Sequence, residues 1–99
     1  PVIVTPDEVD PAAGLAMSCE VDGEIRQSGT TADMVFTPAQ LLSYLSTFMT
    51  LESGDVILTG TPAGVGLSYH PRRWLKPGQT LVTRIEGIGE LVNTCSQPQ

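Results

Sequence analysis

The stretch that most constrains the fold is residues 54–66, which read G-D-V-I-L-T-G-T-P-A-G-V-G. Residues 56–58 form a short apolar run between breakers, a pattern typical of a buried strand. The following residues, 59–66, are rich in glycine and include Thr59 and Thr61. Glycine allows positive φ angles and close approach of a ligand, and exposed N–H and hydroxyl groups can bind an anion. The residues alone favour an ordinary turn, and a cradle for a carboxylate or phosphate is the alternative.

The composition indicates one acidic globular domain. Five basic and eleven acidic residues give the 99-residue chain a net charge of −6, which argues against nucleic-acid or anionic-membrane partners. No apolar run approaches the roughly 20 residues that a membrane-spanning helix needs. Cys19 and Cys95 are isolated thiols, so we interpret them as core cysteines and expect a cytoplasmic protein. Because the chain begins with Pro1 rather than Met, we expect it to be a piece of something longer.

The N-terminal third predicts a β-hairpin. Between residues 15 and 21 hydrophobic side chains alternate with polar or small ones, as in a half-buried strand. Asp22-Gly23 follows directly and is a strong signal for a tight hairpin turn. Residues 24–27 would form the returning strand.

The register of this hairpin leaves two alternatives open. A two-residue loop pairs Val21 with Glu24 and therefore places Ile25 on the face of Glu20 rather than on the face of Cys19. Either both faces of the hairpin are partly buried, or the loop is longer than two residues.

The middle of the chain predicts its main helix, over about residues 37–51. The sequence T-P-A-Q at residues 37–40 combines a Thr N-cap, a first-turn Pro and the reciprocal Gln of a capping box. Gly54 would end the helix as a C′ glycine. One face carries an apolar stripe that we interpret as core-facing; its members are Leu41, Leu45 and Phe48.

The C-terminal part predicts two further strands, over residues 81–86 and 90–95, followed by a polar tail at residues 96–99. Hairpins combined with one well-capped helix indicate a β-rich α+β domain. Its sheet would be a mixed sheet or a β-roll of hairpins. We therefore expect a single domain covering residues 1–99.

The segment between the Gly/Thr stretch and the last hairpin, residues 67–78, is basic and aromatic. It contains four of the six Lys, Arg and His residues of the chain. We expect Trp74 and Leu75 to anchor this segment to the core while its cations remain solvated. Arginines that clamp a carboxylate are the alternative. His70, the only histidine, lacks a neighbouring nucleophile, so we do not assign it as a catalytic base.

Recognised catalytic motifs are absent, including H-E-x-x-H, G-x-S-x-G and a helical carboxylate pair. Five blocks of sequence nevertheless form a family pattern together. Residues 54–66 closely resemble the C-terminal part of the fumarylacetoacetate hydrolase family. The similarity continues in four other blocks, which are I-V-T-P-D-E-V at 3–9, V-D-G-E-I-R-Q-S-G-T-T-A-D-M-V-F at 21–36, W-L-K-P-G-Q at 74–79 and I-E-G-I-G-E-L-V-N at 85–93. It therefore covers nearly the whole chain.

This resemblance implies a mostly β, homodimeric enzyme that binds Mg²⁺ or Mn²⁺ and acts on small 2-oxo acids. The reactions of the family are acylpyruvate hydrolysis, oxaloacetate decarboxylation, and isomerisation and decarboxylation of diacids in aromatic catabolism. Carried over by motif, Thr61 is the expected substrate contact, with Thr59 and Gly60 beside it. Gln27 sits at a matching glutamine position, without an assigned role.

The chain departs from the family pattern in its metal site. Members of the family take their metal ligands from a Glu-x-Glu pair and an Asp that would lie upstream of Pro1. A lysine lies between these ligands and the segment where this chain begins. We therefore expect no metal ligands in this chain and assign no catalytic residue to it. It would supply the substrate-side wall of a metal-dependent enzyme, be inactive alone and need the upstream half as its partner. The alternative is a stand-alone module that dimerises or binds carboxylates without catalysis.

Overall fold

The computed structural model of the protein describes residues 2–97, so Pro1 and the last two residues of the predicted tail lie outside the described part. Four strands form one sheet in the order β2-β1-β3-β4. Their bounds are β1 Ala16–Val21, β2 Glu24–Thr30, β3 Thr80–Ile85 and β4 Gly89–Thr94. All three strand pairs are antiparallel. One α-helix, α1, spans Pro38–Leu45, and two short 3₁₀ turns span Thr31–Asp33 and Gly66–Ser68. The β-rich α+β class predicted from the sequence is confirmed.

The β1–β2 hairpin has the two-residue turn that Asp22-Gly23 predicts. Both turn residues have positive φ angles, 52° and 80°, which is the geometry that matches the twist of paired strands. Val21 pairs with Glu24. The longer loop is therefore not observed, and Ile25 is 61% exposed, so partial burial of both faces is not observed either.

The Asp22 carboxylate also joins this turn to β3. It accepts hydrogen bonds of 2.8 Å from the Thr80 backbone N–H and from the Gln79 amide. These bonds, the Thr80 one first, lower the pKa of Asp22 below its usual value because they favour the charged form.

The lowered pKa of Asp22 leads to a prediction about acid stability. A group whose pKa is lower in the folded state stabilises the fold above its unfolded-state pKa, about 3.9 for Asp, and loses this effect as the pH falls through the folded value. We expect Asp22→Asn to flatten the decline in unfolding free energy below about pH 4. Urea unfolding at several pH values measures the slope, with Asp33→Asn as the control for loss of one charge. Equal slopes in the two variants would contradict the prediction.

Helix α1 begins as predicted but ends earlier. The Thr37 hydroxyl accepts a hydrogen bond from the Gln40 backbone N–H, and the Gln40 side chain accepts one from the Thr37 backbone N–H, which completes the capping box. The α-helix stops at Leu45 rather than near residue 51. Ser46 and Thr47 hydroxyls donate to carbonyls three residues back, and such bonds compete with the helical pattern.

The expectation that Gly54 is a C′ glycine is also wrong. The C-cap of α1 is Ser46. Gly54 has a φ angle of 102° in a separate turn, in which the Asp55 carboxylate accepts a hydrogen bond from the Glu52 backbone N–H.

The predicted buried strand at residues 56–58 is not formed. These residues are not assigned to a strand, and Val56 and Leu58 are 85% and 92% exposed. Within residues 2–97 no strand pairs with this run. Only Ile57 of the three residues is half-buried, so the run is more exposed than the pattern predicts.

The described part of the chain has a small core. Val21, at 6% exposure, is its one buried hydrophobic residue, and the expected core stripe of α1 is half-buried or exposed. Cys19 and Cys95 are half-buried free thiols rather than fully buried ones. Burial raises the pKa of the Cys19 thiol, and the Glu20 carboxylate adds to this. Among residues 2–97, no helix has the length and apolar character needed to cross a bilayer.

The segment 67–78 is attached by charge rather than by its large apolar residues. Trp74 and Leu75 are 61% and 53% exposed, so the expectation that they anchor to the core is wrong. Arg73 instead makes two hydrogen bonds of 2.7 Å to the Glu24 carboxylate. Its guanidinium also lies over the Tyr69 ring, 5.2 Å from the ring centre. This bidentate pair holds the segment against the β1–β2 hairpin.

Candidate functional site

Residues 59–66, which we call the Thr/Gly loop, lie over one face of the sheet. Between them is an open cleft of about 190 Å³. Gln27, Gly60 and Thr61 all line this cleft, whereas Thr59 does not. The structure therefore brings together three of the four site residues named from the sequence. The other lining residues are Met17, Ser18, Cys19, Pro62, Thr83, Arg84 and Ile85.

A pair of hydrogen bonds from Gln27 organises the loop. The Gln27 Nε2 donates to Thr61 Oγ1 at 2.8 Å and to the Pro62 carbonyl oxygen at 2.7 Å. The carbonyl can only accept, which assigns the amide nitrogen to this side. Both amide hydrogens are therefore used. Thr61 Oγ1 acts as acceptor in this bond, so its own O–H hydrogen is available to a ligand in the cleft.

A β-bulge places Gln27 where it can do this. The register of the hairpin shifts between Cys19 and Glu20, so that Cys19 faces Gln27 while Glu20 faces Ile25. Arg26 is the extra residue on β2. Without the bulge, the two-residue turn would pair Gln27 with Ser18 instead of Cys19 and place its side chain on the opposite face, because successive side chains alternate between faces. Bulges commonly redirect a side chain beside a functional site. Ile25, on the other face, is 61% exposed.

The glycines of the loop have different physical roles. Gly60 has a φ angle of 104° and open space where a side chain would project, so it keeps the backbone beside Thr61 accessible. Gly64 and Gly66 do not serve a ligand. A Cβ on Gly64 would overlap the Arg26 carbonyl oxygen, and a Cβ on Gly66 would overlap the Arg73 carbonyl oxygen. These two glycines therefore let the loop lie against the bulge and against the segment that carries Arg73.

The residues that sequence reasoning missed come from β1 and β3. Met17 pairs with Ile85, and Cys19 pairs with Thr83, so these four side chains form the floor of the cleft. The alternation of β1 identified the Met17–Cys19 face, but nothing in the sequence indicated that the loop would lie above it. Arg84 also lines the cleft, and its guanidinium is ion-paired with Glu20 and Glu90.

The described residues do not fit a metal ion. Within residues 2–97, no three His, Cys, Asp or Glu side chains come together in a way that could hold one. The cleft itself offers amide, hydroxyl and backbone groups, a donor set suited to anionic oxygen rather than to a divalent cation. That the metal ligands lie upstream of Pro1 stays a prediction.

Fold and cleft together define a β-rich α+β unit that presents a Thr/Gly loop above a small polar cleft. Comparison with known proteins identifies this arrangement. The family model described as fumarylacetoacetate (FAA) hydrolase C-terminal matches residues 1–96. The chain therefore belongs to the fumarylacetoacetate hydrolase family.

Three solved structures illustrate the relationship. A fumarylacetoacetate hydrolase from psychrophilic Exiguobacterium antarcticum is 47% identical with a TM-score of 0.94, over 99% of this chain and 35% of its own. A 2-hydroxyhepta-2,4-diene-1,7-dioate isomerase from Mycobacterium marinum is 41% identical with a TM-score of 0.81, over 95% and 33%. A maleylpyruvate hydrolase from Sphingobium sp. SYK-6, in complex with manganese(II) and pyruvate, is 34% identical with a TM-score of 0.86, over 98% and 34%.

The chain is shorter than these proteins. It spans about a third of the length of the curated Burkholderia relatives that it matches at 48% to 54% identity.

Proposed function

We propose that this chain is the substrate-binding part of a divalent-metal-dependent enzyme that acts on small 2-oxo acids. The reaction is acylpyruvate-type carbon–carbon hydrolysis, or decarboxylation and isomerisation of a related diacid. The metal, Mg²⁺ or Mn²⁺, would be held by residues outside this chain. A homodimer in the cytoplasm is part of the same proposal.

The observation that carries the proposal is the pair of hydrogen bonds between Gln27 and the loop. Because Gln27 donates to Thr61 Oγ1, the hydrogen of the Thr61 hydroxyl remains available to donate to an anionic acceptor. Hydrogen bonds to charged groups contribute more than neutral ones, about 1.5–3 kcal/mol each. The similar maleylpyruvate hydrolase was solved with pyruvate, which is a 2-oxo acid. We therefore assign the carboxylate of such a substrate to the Thr61 side of the cleft.

The steps assigned to this chain concern binding and orientation. The Thr61 hydroxyl donates to the substrate carboxylate, and Gly60 lets that carboxylate approach the backbone. Met17 and Ile85 provide an apolar floor beneath the carbon skeleton. Fixing the acid group in this way orients the rest of the molecule toward the part of the site that other residues complete.

Exposed apolar surface supports the fragment status of the chain. Eighteen large hydrophobic side chains are exposed in the described part, including Ile3 at 95% and Val35 at 86%. Apolar surface on this scale is typical of an interface rather than of a free monomer. We assign most of it, though not Trp74, to packing against the remaining two-thirds of the enzyme.

The test uses the complete enzyme and the 99-residue chain in parallel, assayed on acylpyruvate and oxaloacetate with Mg²⁺ or Mn²⁺. We expect turnover only by the complete enzyme. Thr61→Val should raise KM about tenfold with a smaller change in kcat, because it removes one hydrogen bond to a carboxylate that does not react. Thr94→Val is the matched control, since it makes the same substitution on the edge strand β4.

Two results would contradict the proposal. Turnover by the 99-residue chain alone would show that its site does not need residues from outside the chain. Carboxylate binding by the isolated chain, lost in Thr61→Val and without any turnover in the complete protein, would instead support a non-catalytic carboxylate-binding module.

A further inference from the structure

A second cleft, separate from the one beneath the Thr/Gly loop, collects most of the positive charge of the molecule. Its volume is about 470 Å³, and Arg26, Arg72, Arg73 and Lys76 line it. The whole chain has only five Lys and Arg residues, so four of the five share one cleft. In a protein with a net charge of −6, this segregation produces a local positive field that attracts anions.

The two carboxylates in the cleft do not neutralise this charge. Glu24 is engaged by the bidentate Arg73 pair, and Asp22 is engaged by the Thr80 backbone N–H and the Gln79 amide. Within residues 2–97, the side chains of Arg72 and Lys76 have no carboxylate partner. Four cations against two carboxylates leave the cleft with an excess of two positive charges.

Arg26 is the most buried of these four cations. Its side chain is only 15% exposed, and its Nε lies 3.4 Å from Glu24 Oε2. The pair lacks the angle of a hydrogen bond, and Nε is a buried nitrogen without a partner in the described part of the chain. An unsatisfied buried donor on a cation is costly. A negative charge in the cleft would offset part of this cost through its attraction for the guanidinium.

Trp74 forms an exposed wall of the same cleft. The Arg72 guanidinium lies over its ring, 5.9 Å from the ring centre, which keeps this cation at the mouth of the cleft. We propose that the cleft is a binding site for a small oxyanion with two or more negative charges, either a dicarboxylate or a phosphate ester. Arg72, Lys76 and Arg26 are its ligands.

This anion site is distinct from the substrate site under "Proposed function". The two clefts share no lining residue. They meet at the bulge of β2, where Arg26 lines the anion site and the next residue, Gln27, lines the substrate cleft. The anion site needs no metal and no residue outside the chain, so it is tested independently of any enzymatic activity.

The experiment follows the fluorescence of Trp74, the only tryptophan in the chain. The 99-residue chain is titrated with malonate in one arm and inorganic phosphate in the other. We expect a saturable change in emission in at least one arm. The arm that saturates at the lower concentration identifies the ligand as a dicarboxylate or as a phosphate ester. Raising NaCl should weaken binding in both arms, because salt screens a partly exposed charged site.

Arg72→Gln should weaken binding about tenfold, since it removes one charge-assisted contact. Arg84→Gln is the matched control, because it removes the one cation outside this cleft and lowers the net charge equally. Thr61→Val should leave the titration unchanged. Lys76→Gln, at an exposed position, repeats the test without touching the stacked Arg72–Trp74 pair.

Two results would overturn the anion site. One is an emission that does not saturate with either anion. The other is an equal loss of binding in Arg72→Gln and Arg84→Gln, which would mean that overall charge rather than the cleft governs the effect.

Discussion

The variant Gln27→Glu is expected to lower kcat/KM of the complete enzyme about a hundredfold. The substitution keeps the shape of the side chain but replaces its two donors with a carboxylate, which can only accept. The bond to the Pro62 carbonyl becomes a repulsion between two acceptors, and the Thr61 hydroxyl turns to donate to the new carboxylate. Its hydrogen is then no longer available to substrate. Loss of a charge-assisted hydrogen bond together with a new negative charge beside the substrate amounts to about 3 kcal/mol.

The control for this variant is Gln40→Glu, the same substitution in the capping box of α1. There the Gln side chain accepts a hydrogen bond from the Thr37 backbone N–H, so a carboxylate preserves the bond and suits the helix N-terminus. Activity should therefore be unchanged. Steady-state kinetics on both variants give the comparison. Similar losses in the two would show that the effect is one of charge alone.

A double-mutant cycle separates positioning from direct contact. If Gln27 acts through Thr61, then Gln27→Ala should raise KM in the wild-type background but change it little in a Thr61→Val background. Residues that act as a unit are non-additive in this way. Additive effects would instead place Gln27 in direct contact with substrate, as the family resemblance alone would allow.

Local features of the fold were predictable because their signals lie within a few residues. The capping box at residues 37–40 and the Asp22-Gly23 turn are specified by short-range chemistry, and both are observed. The predicted end of α1 was wrong, because the apolar stripe continues past the point where the Ser46 and Thr47 hydroxyls donate to backbone carbonyls three residues back. Hydrophobic spacing does not reveal that these side-chain bonds compete with the helical hydrogen bonds.

Long-range features of the candidate site were not predictable from local pattern. The register analysis of the hairpin was correct, yet the bulge at Arg26 that returns Gln27 to the Cys19 face has no signature in a single sequence. Residues 56–58 have the composition of a buried strand, yet Val56 and Leu58 lie exposed. Composition shows that such a run favours burial, but it does not show which residues would cover it.

Gly64→Ala is expected to destabilise the protein by about 3 kcal/mol, the largest effect on stability that we predict. Two terms contribute. The φ angle of 106° at this position is unfavourable for any residue with a Cβ, by about 1–2 kcal/mol. The new methyl group would also overlap the Arg26 carbonyl oxygen. Both groups that would overlap are fixed to the backbone, so neither can move away without disturbing the chain. Overpacking of this kind adds about 1–3 kcal/mol.

The matched control for Gly64→Ala is Gly54→Ala. Gly54 has nearly the same φ angle, 102°, but nothing within 4 Å of the position where a Cβ would project. It should therefore lose only the conformational part, about 1–2 kcal/mol. Urea unfolding of both variants measures the difference, which isolates the contact between the loop and the bulge. Since Gly64 and Thr61 belong to the same loop, a shift of the loop in Gly64→Ala should raise KM as well, and Gly54→Ala should not. Equal destabilisation by the two variants would mean that the loop does not depend on its approach to Arg26.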